Sequence, residues 1–356
     1  MWQSHLSYHP RIGYTYSPNF RGRLPHESGG YLVRANAAGF RCEHEFEPER
    51  APGAFRALLF GDSQTAGLGV GNRHRYGDLL ERAIPGLEIF NFAIDGVGVD
   101  QEYLAYLEHS GIAHDLVVIG LYVEDVSRVS SQHLRFNDEA GREIYYAKPF
   151  YRLDGGGLTL ANVPVPKRPF TRDMLPQDPR AGMEAGGFLA RARTALHAMA
   201  PDPRLRRAIT GFGLGDLIRK AAGEQRAPGY ESPDNPGWRL LAEILKNWIF
   251  RSGTPVLLMP IPMWAFVEEA ADPAPYQTRY REFAIATRCH LHDPLPDLLS
   301  LPLAERRKLF FARDRHLTPL GHRVMADSLQ PAIADIIRQG AIRQGAVLAA
   351  TAEDRT

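Results

Sequence analysis

The chain is 356 residues long, enough for one large domain or two and for a sizeable buried core. Its 42 Lys and Arg against 41 Asp and Glu leave a net charge of +1, mixed along the chain, which excludes an electrostatic footprint for nucleic acid or an anionic membrane. Cys42 and Cys289, its two cysteines, exclude a disulfide framework, and no apolar run approaches the ~20 residues that span a bilayer.

The start, Met1 to His5, lacks the basic segment and apolar core of a signal peptide, so a cytoplasmic protein of a reducing compartment is expected. Residues 1–50 are rich in Tyr, Pro, Gly and Arg. Tyr31–Arg34 reads as a short strand, and Asn36 to Arg41 as a turn leading into another. The aromatics argue against a disordered leader, and the segment is expected as an arm packed on the main domain.

From Phe55 a repeating rhythm begins. Ala57-Leu58-Leu59-Phe60 is an apolar run ending in Gly61-Asp62-Ser63, the pattern of a buried parallel strand turning into a helix. A helix is expected from Gly77 to Ile84, stopped by Pro85-Gly86, then a strand over Leu87–Phe92. A loop at Asp95-Gly96-Val97-Gly98 precedes a helix over Gln101–His109, and Leu116–Tyr122 is the clearest buried strand. Strands alternating with helices at this spacing predict a parallel, doubly wound sheet.

The rhythm breaks near residue 126. Residues 126–237 read as an insertion after the third strand. Within it, Tyr145–Leu153 and Leu158–Val165 flank a glycine turn as a hairpin, residues 185–224 read as helices, and Gly229 to Gly237 as a linker. An insertion there overhangs the strands' carboxyl ends, where it is placed to act as a lid or to touch substrate. Its aromatics Tyr145, Tyr146, Phe150 and Tyr151 either stack on sugar rings or pack the hairpin. The rhythm returns with a helix over Trp238–Phe250, a strand over Pro255–Pro260, a helix over Tyr276–Thr287, a fifth strand over Cys289–Asp293, and a last helix from Thr318-Pro319 to about Arg338. The α/β domain is thus expected over 51–125 and 238–338, with a frayed tail at 339–356.

Two stretches carry chemistry. Ser63 would stand at the carboxyl end of a strand, where open α/β sheets place ligands, beside free backbone N–H groups. Taken alone it is also a plain helix cap. Asp314-Arg315-His316 lies on a loop before the last helix. A serine hydroxyl needs an imidazole to take its proton, and the imidazole needs an acid on its far nitrogen, so the two stretches together describe one unit. Asp62 reads as a turn acceptor and Asn91 as a tie at a strand end, while Asp95, Asp100 and Gln101 either line the mouth or start a surface helix. Gly67, Gly69 and Gly71 fit no nucleotide-binding spacing. His290 and His292 lack a third ligand at a telling distance, His322 reads as a packed helix residue, and Ser127, Ser130, Ser131 and His133 as a polar loop. No metal and no cofactor is expected.

Gly61-Asp62-Ser63-x-Thr65-x-Gly67-x-Gly69-Val70, Asp95-Gly96-x-Gly98-x-Asp100-Gln101 and Asp314-x-His316-Leu317-Thr318-Pro319-x-Gly321-His322 resemble the motif blocks of the SGNH/GDSL hydrolase family, in a form similar to bacterial members associated with cell-surface carbohydrate. The resemblance covers roughly residues 30–126 and 238–335. It implies a flavodoxin-like three-layer α/β/α sandwich with five parallel strands. It implies Ser63 as nucleophile, His316 as general base, Asp314 as its orienting acid, and the N–H groups of Ser63 and Gly96 as oxyanion donors. The implied activity is removal of a short acyl group, such as acetyl, from a carbohydrate or other small-molecule ester. An acyltransferase with the same triad and a non-catalytic carbohydrate binder are the other readings.

One position departs from that pattern. Glu124 stands where the family places an asparagine whose amide is the third oxyanion donor. An ionised carboxylate only accepts hydrogen bonds. The site then has two backbone donors, or a protonated Glu124 that donates, or a different or lost chemistry. No pattern in the sequence fixes the oligomeric state.

Overall fold

The computed structural model describes residues 5–137, 143–155, 157–171, 174 and 229–353. Strands β1 (Leu6–His9), β2 (Gly13–Tyr16), β3 (Arg21–Leu24) and β4 (Tyr31–Arg34) form two antiparallel hairpins that precede the main sheet. That sheet comprises β5 (Phe55–Gly61), β6 (Leu87–Asn91) and β7 (Leu116–Tyr122), and later β12 (Val256–Ile261) and β13 (His290–Leu291). Between β7 and β12 lie two antiparallel pairs, β8 (His133–Asn137) with β9 (Glu143–Ala147) and β10 (Phe150–Asp154) with β11 (Gly157–Ala161).

The main sheet has the order β6-β5-β7-β12-β13, with every pairing parallel. Its inner strands are almost wholly apolar and, apart from Phe55 at the start of β5, buried, because helices cover both faces. The short helix α1 (Ser63–Ala66) follows β5, and α2 (Tyr76–Ala83), α3 (Val99–His109), α4 (Asp125–Arg128), α5 (Pro236–Ser252), α6 (Trp264–Val267), α7 (Ala274–Thr287), α8 (Leu295–Leu299), α9 (Leu303–Arg306) and α10 (Pro319–Glu353) complete the chain. Helices α2 and α10 pack together, and α5 packs against both α3 and α7, giving the two outer layers of an α/β/α sandwich. Trp248 of α5 is wholly buried, its ring 5.0 Å from Phe60 of β5 and 5.5 Å from Tyr106 of α3. In chain order the five strands run 2-1-3-4-5, the flavodoxin-like order, whose ligand crevice opens where the first strand meets the third. Ser63 leaves β5 at that crevice.

Several elements differ from the sequence reading. The fifth strand is two residues long, an edge strand paired only with β12. Asn36 to Gly39 do form a turn, with Gly39 N–H donating to the Asn36 carbonyl at 3.1 Å, but no strand follows. Arg41 instead buries its guanidinium and donates to the carbonyls of Gly67 and Val70 at 3.0 and 2.8 Å. The expected strand over Tyr145–Leu153 is split between β9 and β10, and β8 was not foreseen. The helix expected to end near Arg338 runs on to Glu353. The helices expected over 185–224 lie outside the described residues. Among the described residues, no helix is long and apolar enough to cross a membrane.

Both β-ribbons after β7 are fastened to the core. Lys148, between them, buries its ammonium against Asp100 at 2.7 Å and donates to the Arg128 carbonyl at 3.1 Å. Tyr146, Phe150 and Tyr151 are buried, Tyr151 facing Tyr103 at 5.9 Å, so they pack the ribbons.

Candidate active site

Ser63 begins α1, directly after β5. Asp62 caps this helix, its Oδ1 accepting from the Gln64 N–H at 2.9 Å. The far loop is closed by its own backbone, Phe311 N–H to the His316 carbonyl at 2.8 Å and Thr318 N–H to the Leu309 carbonyl at 2.8 Å. Gln64 joins the two stretches: its Nε2 donates to the Arg315 carbonyl at 3.3 Å and its Oε1 accepts from the Leu317 N–H at 3.2 Å. As a result His316 Nε2 stands 2.8 Å from Ser63 Oγ, across 253 residues of sequence.

Asp314 lies behind His316. Its Oδ1 accepts from the His316 backbone N–H at 3.1 Å, and its Oδ2 stands 3.5 Å from His316 Nδ1, longer than a formed hydrogen bond. Burial pushes the Asp314 pKa up, but hydrogen bonds from His316 and from His26 outweigh it and hold this carboxyl well below the usual range. Burial pulls the His316 pKa down, and the Asp314 carboxylate, with Asp62 and Asp95 farther off, turns the balance to a raised value.

The loop carrying Gly96 passes the end of β5, where the Ile94 N–H donates to the Gly61 carbonyl at 3.2 Å. Gly96 has φ +77°, a left-handed conformation, and a Cβ there would meet the Tyr14 hydroxyl at 3.1 Å. Among the described residues, neither the Ser63 nor the Gly96 N–H is taken by a backbone carbonyl. Arg128 ties this loop to Asp62, the residue before the serine: its Nη1 donates to Asp62 Oδ2 at 2.7 Å and to the Val97 carbonyl at 3.3 Å.

Glu124 follows β7 as the N-cap of α4. Its surface stays open to solvent, yet it is hemmed in enough that desolvation and the charge of Asp62 raise its pKa, against the pull of Arg128. Beneath it, Asp62, Glu102 and Asp125 are fully or almost fully buried. Arg128 pairs with Asp125 at 3.0 Å as well as with Asp62. Burial, together with the negative charge of Asp62, pushes both Glu102 and Asp125 well above the ordinary carboxyl range.

The other expected residues divide cleanly. Asn91 Oδ1 accepts from the Ala93 N–H at 2.9 Å, the expected tie at a strand end. Asp100 and Gln101 neither line the mouth nor start a surface helix. Both are fully buried, Asp100 on Lys148 and Gln101 donating to the Ile12 carbonyl at 2.7 Å, because the arm and the ribbons cover the start of α3. His322 is buried against Tyr76, and desolvation with the nearby Arg75 lowers its pKa to about 3. His292 is tied to the Ser328 hydroxyl at 2.8 Å. Ser127 lies in α4 and His133 in β8. A cavity of about 690 Å³ lined by Phe55, Pro255 and His290 opens at the start of β5, the opposite end from Ser63.

Sequence reasoning missed the arm's part in the site. Tyr14, His26, Glu27 and Ser28 all reach it, and no local pattern marks them. Ligand atoms of His26, Glu27 and Asp314 lie within 4.8 Å of one another. They are already engaged: His26 Nε2 meets Asp314 Oδ2, and Glu27 Oε1 accepts from the N–H groups of Arg313 and Asp314, each at 3.0 Å.

No model of a protein family matches the chain. No curated protein matches it either. Among solved structures, it is similar to a member of the lipolytic G-D-S-L family from Veillonella parvula, at 10% identity and a TM-score of 0.39, covering 78% of this chain and 96% of that one. An extracellular lipase from Streptomyces rimosus matches at 13% identity and a TM-score of 0.43, covering 80% of this chain and 100% of that one. An acetyl xylan esterase matches at 15% identity and a TM-score of 0.39, covering 78% of this chain and 100% of that one.

Proposed function

We propose that this chain is a serine esterase of the GDSL/SGNH type that removes a short acyl group, such as acetyl, from a carbohydrate or glycoconjugate. The observation that carries the chemistry is the 2.8 Å contact between Ser63 Oγ and His316 Nε2, with Asp314 behind the imidazole. The substrate class rests on the motif resemblance.

In this reading Ser63 Oγ attacks the ester carbonyl carbon while its proton passes to His316 Nε2. The carbonyl oxygen becomes an oxyanion facing the N–H groups of Ser63 and Gly96. Collapse expels the alcohol, which takes the proton from His316. Water then attacks the acyl-serine and gives a proton to Nε2, the bond from the acyl carbon to Ser63 Oγ breaks, Oγ takes the proton back from Nε2, and the acid leaves. Asp314 holds the imidazole's orientation and balances its charge when it is protonated. Two backbone donors rather than three would make the hole weaker than the family pattern, since one donor contributes roughly 2.7–4 kcal/mol in other enzymes.

A fluorophosphonate probe tests the serine: labelling of the wild type and none of Ser63→Ala is expected. No labelling of the wild type would favour the non-catalytic carbohydrate binder, the reading to which Glu124 points. Free acid is the expected product from an acyl donor mixed with candidate sugars. Acyl-sugar in its place would make the chain a transferase with the same triad.

A further inference from the structure

We propose that His26, from the N-terminal arm, is a positioning residue for the candidate acid: it donates from Nε2 to Asp314 Oδ2 and so sets how that carboxylate faces His316. The inference rests on the esterase reading of the site.

The contact is built from several sides. The His26 side chain is only 6% exposed. Its ring packs edge-on to Phe311, with centroids 4.6 Å apart, and edge-on to Tyr31 at 5.8 Å. Gly69 makes room for it, because a Cβ there would fall 2.6 Å from His26 Cε1. The Ser28 backbone N–H donates to His26 Nδ1 at 3.1 Å, and the Ser28 hydroxyl, 2.9 Å from the same nitrogen, is placed to donate to it as well. Nδ1 therefore carries no hydrogen, and in the neutral ring the proton sits on Nε2, aimed at Asp314.

The neighbours of His26 grip the same two loops. Glu27 holds the backbone N–H groups of Arg313 and Asp314, and Ser28 Oγ lies 3.2 Å from the Gly69 carbonyl oxygen. Three consecutive arm residues thus fasten the loop of His316 to the loop that follows Ser63.

Asp314 Oδ2 is shared between two imidazoles, with His26 in close contact and His316 Nδ1 at 3.5 Å. A donor on that oxygen draws charge away from His316. Removing it leaves the carboxylate more basic and more loosely placed. The first effect makes His316 easier to protonate, and the second makes proton transfer slower. The other charged groups acting on His316 are Asp62 and Asp95, with His322 nearby, and none of them contacts His26.

The test compares His26→Phe, which fills the space without a donor, with His26→Gln, whose amide keeps one. His26→Leu replaces the Phe variant if the larger ring prevents folding. We expect the Phe variant to lose roughly tenfold or more in kcat/KM, the scale of one charge-assisted hydrogen bond. The acid limb of its pH profile should move to higher pH, and the Gln variant should recover part of both effects. The His316 ring titration, read by 15N-edited NMR, should move upward in the Phe variant. That measurement does not depend on turnover, so a wild type that hydrolyses nothing overturns the esterase reading and leaves this test standing. An unmoved His316 titration in the Phe variant, or a Gln variant indistinguishable from it, overturns the proposal.

Discussion

The hydroxyl of Tyr14 donates to the carbonyl oxygen of Asp95 at 2.5 Å, one residue before Gly96. An arm residue thereby holds the turn whose N–H is the candidate second oxyanion donor. Burial, with Asp95 nearby, raises the Tyr14 pKa far enough that the phenol keeps its proton, so it donates across the whole working pH range. Tyr14→Phe removes this tie and keeps the ring. It should lower kcat severalfold while leaving KM near its original value, because the tie acts on the turn that would face the oxyanion. The stability loss should stay within the ~0.5–1.5 kcal/mol of one hydrogen bond. Steady-state kinetics and urea unfolding of the single variant check both halves.

Asp314 makes a prediction about acid stability. Its folded pKa lies below the unfolded value of about 3.9. A carboxyl shifted that way adds stability above the unfolded pKa and loses it as pH falls through the folded pKa. Asp314→Asn should therefore unfold with a flatter pH dependence than wild type below about pH 4, read from urea midpoints. The same variant should lose roughly 10²- to 10⁴-fold in kcat, since an amide can favour the wrong imidazole tautomer.

The raised pKa of His316 fixes the sign of the activity profile. The imidazole must be neutral to accept the serine proton. Activity should thus rise with pH through a midpoint above about 6.5, the ordinary histidine value. In stability the direction reverses: the contribution of His316 is present below about pH 6.5 and fades as pH climbs through the folded pKa. A kcat/KM profile with 4-nitrophenyl acetate from pH 5 to 9 measures the first. A midpoint below the ordinary value would contradict the Asp314 partnership.

Glu124 offers a gain-of-function test. With two backbone donors already free, Glu124→Asn would supply a neutral amide at the position where the family pattern expects one. An increase in kcat of about tenfold or more is expected, below the 10²–10³ attributed to a donor in a fully arranged hole. Glu124→Gln separates donor chemistry from side-chain length. A fall in activity with both variants would instead mean that the carboxyl itself, held protonated, is the donor.

What the sequence could announce follows from the range of each interaction. The strand Leu116–Tyr122 is found at its expected bounds because a strand buried on both faces reads as an unbroken apolar run. Ser63 and His316 were legible because each sits in a local pattern set by its turn. The edge strand His290–Leu291 was overestimated, since an edge needs little of the apolar run that marks an interior strand. Asp100 looked like a surface residue because charge usually means solvent, and its burial depends on Lys148, 48 residues away. His26 meets Asp314 across 288 residues, a pairing that no local period encodes. The arm was expected to pack on the core, but its role in joining the two candidate loops is a long-range fact.

The buried carboxyls beneath the site give the last prediction. Asp62, Glu102 and Asp125 are almost wholly removed from water, and Arg128 is the cation that touches two of them. Arg128→Met keeps most of the side chain's length and apolar stem while deleting the charge. Removing one partner of a buried pair leaves an uncompensated charge, at a cost of about 3–5 kcal/mol. The Arg128 side chain is 31% exposed, so solvent screening should bring the loss toward the low end. Because the same guanidinium bridges Asp62 to Val97, activity should fall even at temperatures where the variant stays folded. Adding Asp62→Asn to Arg128→Met removes one stranded charge and should restore part of the stability without restoring the bridge. Urea unfolding and kinetics of the two single variants and the double variant measure this coupling, and a double variant no more stable than Arg128→Met alone would show that Asp62 is not the group the guanidinium neutralises.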